Sequence, residues 1–538
     1  MSLHIVQKRL SFHSSNSINT LNQEVVSAAP TLKKKENLKQ RAYLNSLTNI
    51  IDYVVTQFTG FLVSPFIVSG LGNSMYGVWQ MLSQMSGYAK VADTRATQVL
   101  KWTIAKKKDI VDEEELRSDV TSALAITGLI VPLVLIAGSV VSWYAPIITK
   151  VEQEYYTLVR ITCSLMILSL VVSKLFDLYE SVLRGMNLAF KRMGLRAAIV
   201  AFGGGLKVLV LTQGYGLIAL AIVQLVITLI IGITYYIVVK KTVSWFGFGR
   251  TNFAKIKIFS KVSGWYLADT GASLLLGNSD KILLGFIAGP IAVTYYTLTL
   301  FLPTAFQGII NRIVMGVLPG IGKLLGLQEY DKLKNVLENI NSITFLLITA
   351  SAVTITIINS SFLNAWVGGE LYAGNIANTL IMVMVIQDTF IRNDAYILSA
   401  TLDLKDKVLL TLAAGVLFIL IGFFLVGKLQ ITGLCISLLA GKLILFIGQR
   451  HLIHSKIQYT SASSILARIR PLLVSLAMLA GAGYITTTMK PLSILEMAGL
   501  TPLIFLVAFL VYYFLGLNKN NRSELIRIVS SIKLFKYD

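Results

Sequence analysis

Lysine, arginine and aspartate recur inside stretches of this sequence that are otherwise apolar, where they are expensive to place. In VVSKLFDLYESVLRG, Lys174, Asp177, Glu180 and Arg184 stand at intervals of three, three and four, so a helix carries them on one face with alternating sign. In IQDTFIRNDAYILSA, Asp388 and Arg392 are four apart and able to pair. Asp394 points nearly the other way on that helix and needs a partner from elsewhere, or water. Lys90, Asp93 and Arg95 add a third cluster, Lys207 and Lys442 stand apart, and Asp280 precedes Lys281.

Two kinds of chemistry are open to such groups. Lys207, Lys281 and Lys442 have no opposite charge at helical spacing except Asp280, whose side chain leaves a regular helix in a different direction from that of Lys281. Cations left over in a cleft favour an anionic ligand, and Lys90, Arg95, Lys174, Lys207, Lys281, Arg392 and Lys442 are the candidates for holding one. A desolvated carboxylate can instead take up a proton or a coupling cation, and Asp52, Asp269 and Asp394 are the candidates for that. Asp177, with Lys174 and Arg184 on its own face, is expected to stay ionised and to serve structure. For any single charge the plainer alternative is a structural ion pair, or a helix-end group that snorkels to the interface.

The elements that position these groups follow from composition. Of 538 residues, 55% are hydrophobic and only 14% charged, with a mean hydropathy of +0.70, which marks a polytopic membrane protein. Apolar stretches of about 18 to 25 residues, each long enough to cross roughly 30 Å of hydrocarbon as a helix, recur along the chain. Fourteen spans are predicted, near 42–68, 76–100, 119–144, 156–185, 195–213, 216–239, 261–278, 281–317, 337–361, 376–400, 407–427, 430–449, 471–489 and 496–517. At the bilayer centre each charge costs about 2.5–3.5 kcal/mol on insertion scales, so this many are tolerable only if paired or facing a water-filled cavity.

The net charge of +21 is mostly a topology signal rather than a nucleic-acid patch, because the lysines and arginines crowd every second loop. KKKENLKQR (33–41), KWTIAKKK (101–108), FKRMGLR (190–196), KK (240–241) through GRTNFAKIK (249–257), KLLGLQEYDKLK (323–334), LKDK (404–407) and QRHLIHSK (449–456) with RIR (468–470) form the rich set; the other set holds only Lys150, Lys428 and Lys490. By the positive-inside rule the rich loops and both termini are cytoplasmic, in the cytoplasmic membrane. Residues 1–40 lack an apolar core of signal-peptide length and are expected to form a flexible tail. Cys163 and Cys435 fall inside apolar spans and are expected to act as small hydrophobes, with neither a disulfide nor a metal site. His451 and His454 are three apart, which suits metal ligation but suits a basic helix end better. No cofactor is expected.

Shifted against itself by 217 residues, the chain superimposes six spans on six. Asp52 falls on Asp269, Gly72 on Gly289, Asp177 on Asp394, Tyr179 on Tyr396, and Gly216-Leu217 on Gly433-Leu434. The expected fold is therefore all-α, with two pseudo-symmetric six-helix lobes at 41–245 and 246–456 related by an axis along the membrane normal. A further helix pair (457–517) and a tail (518–538) follow.

LGNSMYGVWQMLSQMSGYAKVADTRATQVLKWTIA (71–105) resembles the second-span signature of the Wzx-type polysaccharide or oligosaccharide flippases of the MOP (multidrug/oligosaccharidyl-lipid/polysaccharide) exporter superfamily. SDKILLGFIAGPIAVTYYTLT (279–299), FLNAWVGGELY (362–372) and GYGLIALA (214–221) resemble further segments of that family, so the resemblance runs over about 42–455. It departs at Asp93-Thr94-Arg95, where the family often has aspartate, an apolar residue and glycine. The resemblance implies a MATE-like pair of lobes in a V around a central cavity. By alternating access these would carry a polyprenyl-diphosphate-linked oligosaccharide to the outer leaflet, with the last helix pair as a flank for the prenyl tail. It also implies a monomer, with a proton or Na+ as coupling ion.

The alternatives are a cation-coupled drug or metabolite exporter of the same superfamily, a membrane glycosyltransferase and a non-transporting scaffold. The exporter calls for a cleft of carboxylates and aromatics. The enzyme calls for a sizeable outer loop, whereas the longest here spans about 14 residues (362–375), and no paired-carboxylate, metal or nucleophile constellation lies outside the membrane. The topology is testable by cysteine labelling. Thiols introduced in 145–155 or 362–375 should react from outside only, and those in 101–118, 240–258 or 449–470 from the cytoplasm only; the reverse pattern would require every span to be reassigned.

Overall fold

The computed structural model describes residues 33–88, 96–108, 111–253, 256, 268–368, 371–400, 405–457 and 465–534, and among these it contains helices and no strand. The first lobe comprises α1 (Lys33–Tyr88), α2 (Ala96–Lys107), α3 (Glu113–Ile148), α4 (Tyr156–Gly185), α5 (Phe190–Thr212) and α6 (Gly216–Thr242). The second comprises α7 (268–277), α8 (Ser279–Ala288), α9 (Pro290–Thr299), α10 (Phe301–Gly326), α11 (Tyr330–Val367), α12 (Asn375–Ala400) and α13 (Lys405–Ile457). Three helices follow: α14 (Ile465–Thr488), α15 (Ile494–Leu515) and α16 (Lys519–Leu534).

Nine helices among the described residues are long and apolar enough to cross a membrane, or ten if Pro290–Thr299 and Phe301–Met315, which meet at 47°, count as one bent span. Two of the nine have the length of two spans. Leu47–Tyr88 is broken at Gly72, and Lys405–Ser455 at Gln430 (φ 46, ψ −122). At 1.5 Å per residue each is about twice as long as the hydrocarbon core is thick. α12 falls short of the same apolarity because it carries Gln387, Asp388, Arg392 and Asp394.

The repeat is written into the backbone. Gly72 (φ 73, ψ 165) and Gly289 (φ 89, ψ 166) adopt nearly the same conformation, one that a Cβ forbids, at positions 217 apart. Each ends one span and starts the next, and Pro290 then supplies the preset φ of a first helical turn. The break between the seventh and eighth spans therefore lies at Gly289 and not at 278–281, where hydropathy put it. The dip at Asp280-Lys281 marks a polar wall inside the span rather than its end, and the equivalence of Gly289 with Gly72 already carried the better boundary.

Ion pairs repeat as well. Arg196 on α5 meets Asp52 on α1 at 2.5 Å, and Lys407 on α13 meets Asp269 on α7 at 3.1 Å, so each lobe ties its first span to its fifth. Small residues allow the same helices to close up: Gly204 faces Thr59 and Val63, and Gly415 faces Leu275. Cys163 and Cys435 are buried with free thiols.

The lobes meet where α1 runs beside α8 and α9. Gly77 lies against the Pro290 carbonyl, Gly285 against Met81 and Gly87 against Asn278, and Thr294 donates to the Asn73 carbonyl at 2.6 Å. α14 and α15 pack on α11, outside the seam, with Tyr512 and Leu517 on Leu346 and Thr349 2.7 Å from Ser475. Within the segment expected as a cytoplasmic tail, Lys519–Leu534 forms α16. Leu525 joins the Tyr512 cluster and Asn521 donates to Ser342 at 2.8 Å.

The seam generates a prediction. Gly77→Ala puts a methyl into the Pro290 carbonyl and should cost about 1–3 kcal/mol, the usual range for overpacking, whereas Gly60→Ala, with open space around it, should cost little. Thermal unfolding in detergent measures both; equal melting temperatures would mean that the lobes do not meet at this glycine.

Candidate anion-binding cavity between the lobes

A cavity of about 700 Å³ opens between α1, the α7–α10 run, α12 and α13. Its charged lining consists of four cations, Lys281, Arg392, Lys407 and Lys442, against two carboxylates, Asp280 and Asp388. Gln80, Gln84, Gln307 and Gln449 add amides, and Tyr76 and Tyr296 add hydroxyls. Helix periodicity explains the convergence on α12, where Asp388, Ile391, Arg392 and Ala395 share the cavity face.

Asp388 is the hub. Lys442 approaches one carboxylate oxygen at 2.9 Å, Arg392 the other at 2.7 Å, and the Gln307 amide donates to it at 3.1 Å. Arg392 pairs with Asp388 as its spacing predicts, and half of its side chain remains exposed. Lys281 donates to Gln80 across the lobe seam at 3.1 Å. Lys407 is shared with Asp269. All of these cations keep a face on the cavity, so an anion entering it meets donors that are already oriented.

Phe301 of the cavity lining belongs to an aromatic cluster. Trp366 stacks on Phe61 (5.3 Å between centroids, 5° between planes) and lies 4.5 Å from Phe301, and its indole N–H donates to the Phe61 carbonyl at 2.8 Å. Farther along the same two helices, Tyr53 donates to the Ala305 carbonyl at 2.8 Å, and Arg312 stacks on Tyr53 and donates to Asn49.

Three of the seven predicted anion-binding cations meet in the cavity: Lys281, Arg392 and Lys442. Lys174 is instead paired with Asp177 at 3.2 Å on α4, and Lys207 donates to Gln224 at 2.9 Å between α5 and α6. Lys90 and Arg95 lie outside the described residues. The carboxylates depart further from expectation. Asp52, Asp269 and Asp394 each have a cation, namely Arg196, Lys407 and Arg450. Asp394 finds its partner on another helix, where Arg450 of α13 reaches it at 2.7 Å, while Lys442 turns to Asp388. Asp177 is paired as expected, and Glu180 beside it holds Arg184 and the buried Arg192.

Sequence reasoning missed Lys407, which sits in LKDK and reads as a loop lysine; the signal was Asp269, a buried carboxylate in need of a cation. It also left Asp280 unranked. Among the described residues no three His, Cys, Asp or Glu side chains come together as a metal site, and His451 and His454 gather no third ligand.

Fold and cavity together define a class: a multi-pass helical membrane protein with two pseudo-symmetric lobes around a polar, predominantly cationic cavity. The sequence pattern of the polysaccharide biosynthesis protein family matches residues 44–325, more than half of the chain, and the protein belongs to that family. No curated protein matches it in sequence. Among solved structures it is similar to the lipid II flippase MurJ in an inward closed conformation, with a TM-score of 0.66 and 13% identity over 88% of this chain and 99% of that one. It is also similar to an inward-facing multidrug resistance MATE family transporter of the MOP superfamily, with a TM-score of 0.56 and 14% identity over 76% of this chain and 96% of that one. A MATE structure in complex with MaD5 gives 0.55 and 14% over 79% and 97%. The two-lobed MATE-like fold expected from the sequence is thus the fold observed.

The Asp394 pair generates a prediction. Asp394→Asn leaves the Arg450 guanidinium without its carboxylate and should destabilise the protein by about 2–3 kcal/mol, less than a fully enclosed pair would lose because Arg450 is 33% exposed. An unchanged melting temperature would show that the pair holds nothing together.

Proposed function

We propose that the protein is a flippase of the cytoplasmic membrane that moves a polyprenyl-diphosphate-linked oligosaccharide between leaflets by alternating access. The observation that carries this reading is the charge balance of the cavity, in which cations outnumber carboxylates two to one along its lining. A sugar head group cannot cross about 30 Å of hydrocarbon unaided, and its diphosphate requires cationic donors in a wet cleft. Membership of the polysaccharide biosynthesis family and a fold shared with a lipid flippase support the same direction. A cation-coupled drug exporter calls for a carboxylate-rich cleft, and this cavity has the opposite balance.

In this reading Lys281, Arg392 and Lys442 hold the diphosphate, while Gln80, Gln84, Gln307 and the two tyrosines face the sugars. Lys442 and Arg392 also pair with Asp388. The α14–α15 flank gives the prenyl chain an apolar surface to follow. The protein works as a monomer with both termini in the cytoplasm, and a proton or Na+ serves as the coupling ion.

The test is translocation of a labelled lipid-linked oligosaccharide in vesicles containing only this protein. Lys281→Ala and Lys442→Ala should each lower the rate at least tenfold at equal protein abundance, about 1.4 kcal/mol of binding or more. Lys207→Ala, outside the cavity, should lower it far less. Full rates in both cavity variants and in their combination would overturn the reading.

A further inference from the structure

α14 and α15 lie outside the repeated lobes, and docking them on α11 and α12 creates a second cavity, of about 260 Å³. It lies between the last turns of α11, the segment that leads into α12, the end of α14 and the turn into α15. Three of these helices, Tyr330–Val367, Arg470–Thr488 and Ile494–Leu515, are long and apolar enough to cross a membrane, and the cavity sits where they end or begin. The limits of such apolar stretches fall at the level of the lipid head groups.

The walls are polar and carry a single charge. Ser360 and Ser361 on α11, Tyr372 and Asn375 at the entry to α12 and Thr486 on α14 supply hydroxyls and an amide. Lys490, in the turn, supplies the charge, and among the described residues no carboxylate lines the cavity. The turn is held on both sides. The Met489 N–H donates to the Ile485 carbonyl at 3.0 Å and the Leu492 N–H to Ser361 at 2.8 Å, while Ser493 and Glu496 form a capping box that starts α15. The backbone of Lys490 is thus positioned in advance, which lowers the ordering cost of binding. The Tyr372 and Thr486 hydroxyls already donate to Asn375 and to the Gly483 carbonyl, so the donors left to a ligand are the Lys490 ammonium and the Ser360 hydroxyl.

Outside the cavity the surface turns apolar. Ile376, Tyr484, Ile485 and Ile494, which neighbour the lining in sequence, are all exposed. The cavity is smaller than the roughly 300–1,000 Å³ of pockets that enclose whole drug-sized ligands, so it suits one head group with its chain outside. A cation finds no carboxylate here, and a water-soluble anion gains nothing from the apolar rim. A lipid phosphate matches both halves, with charge-assisted hydrogen bonds inside and hydrocarbon on the exposed side chains.

We propose that this pocket binds the phosphate of a membrane lipid, with Lys490 as its cation, in the leaflet on the lysine-poor side of the membrane. Two sources share that chemistry, a phospholipid and the prenyl diphosphate of a lipid-linked saccharide. No residue of this pocket lines the central cavity, and the inference rests on the membrane-spanning fold and not on the transport reading.

The experiment is photo-crosslinking to the purified full-length protein at sub-saturating lipid, with two probes that carry a diazirine beside the phosphate: a phosphatidylglycerol and a short-chain prenyl diphosphate. At least one probe should label 357–361, 372–375 or 486–492 in wild type, and Lys490→Ala should lower that labelling about fivefold, the worth of one lysine beside lipid phosphate. Lys490→Arg should restore it, and Lys428→Ala, exposed on the same side but outside the pocket, should leave it unchanged. Labelling by the phosphatidylglycerol probe identifies a phospholipid site, and labelling by the prenyl probe alone places the site on the path of a lipid-linked saccharide; either result supports the proposal. Labelling of these segments by neither probe, or equal labelling in wild type and Lys490→Ala, would overturn it. Because the label is mapped to this pocket, the result is independent of whether the central cavity binds a diphosphate.

Discussion

Ionised side chains within the hydrocarbon region must be paired or wet, and that constraint organises this protein. Each charge there costs a few kcal/mol, and the cost is met in two ways. Pairs such as Asp52–Arg196, Asp269–Lys407 and Asp394–Arg450 clamp helix to helix within a lobe. Others gather at the seam, where Lys281, Arg392 and Lys442 share a cavity of about 700 Å³ with Asp280 and Asp388, while Lys207 between α5 and α6 is met by the Gln224 amide. Lobe integrity and ligand binding are two outcomes of one electrostatic rule.

The seam itself is built from the opposite kind of residue. Glycines at 77, 87 and 285 let α1 approach α8 and α9 so closely that backbone meets backbone or side chain with no room for a Cβ. Polar links cross between the lobes as well, among them Lys281 to Gln80, Thr294 to the Asn73 carbonyl, Tyr53 to the Ala305 carbonyl and Arg312 to Asn49. Phe61, Phe301 and Trp366 add an aromatic contact between the lobes, held by dispersion and one indole hydrogen bond.

Much of this was legible in the sequence because intramembrane charge and internal repetition are strong signals. The helical class, the tandem lobes and the pairing of Asp388 with Arg392 follow from hydropathy, the 217-residue offset and helical spacing. The offset also equates Gly72 with Gly289, whose shared backbone conformation marks the same span boundary in both lobes. What spacing along one helix does not carry is the partner on another helix. Spacing says that Asp394 needs a partner from elsewhere but cannot name Arg450, 56 residues away, and a face on α4 does not tell whether Lys174 meets the cavity. Asp280 was passed over for a related reason: its neighbour in sequence is a lysine, yet their side chains diverge, one to Tyr296 and the other to Gln80.

The central claim is that the cavity is an anion site. Its most direct measurement is a comparison of two ligands with the same short prenyl chain, one bearing a diphosphate and the other a quaternary ammonium, titrated into the purified protein at low and high salt. The account predicts that the diphosphate binds, that salt weakens it by screening, and that the ammonium analogue does not compete. Tighter binding of the ammonium analogue, or diphosphate binding indifferent to salt and to the loss of Lys281 and Lys442, would contradict it.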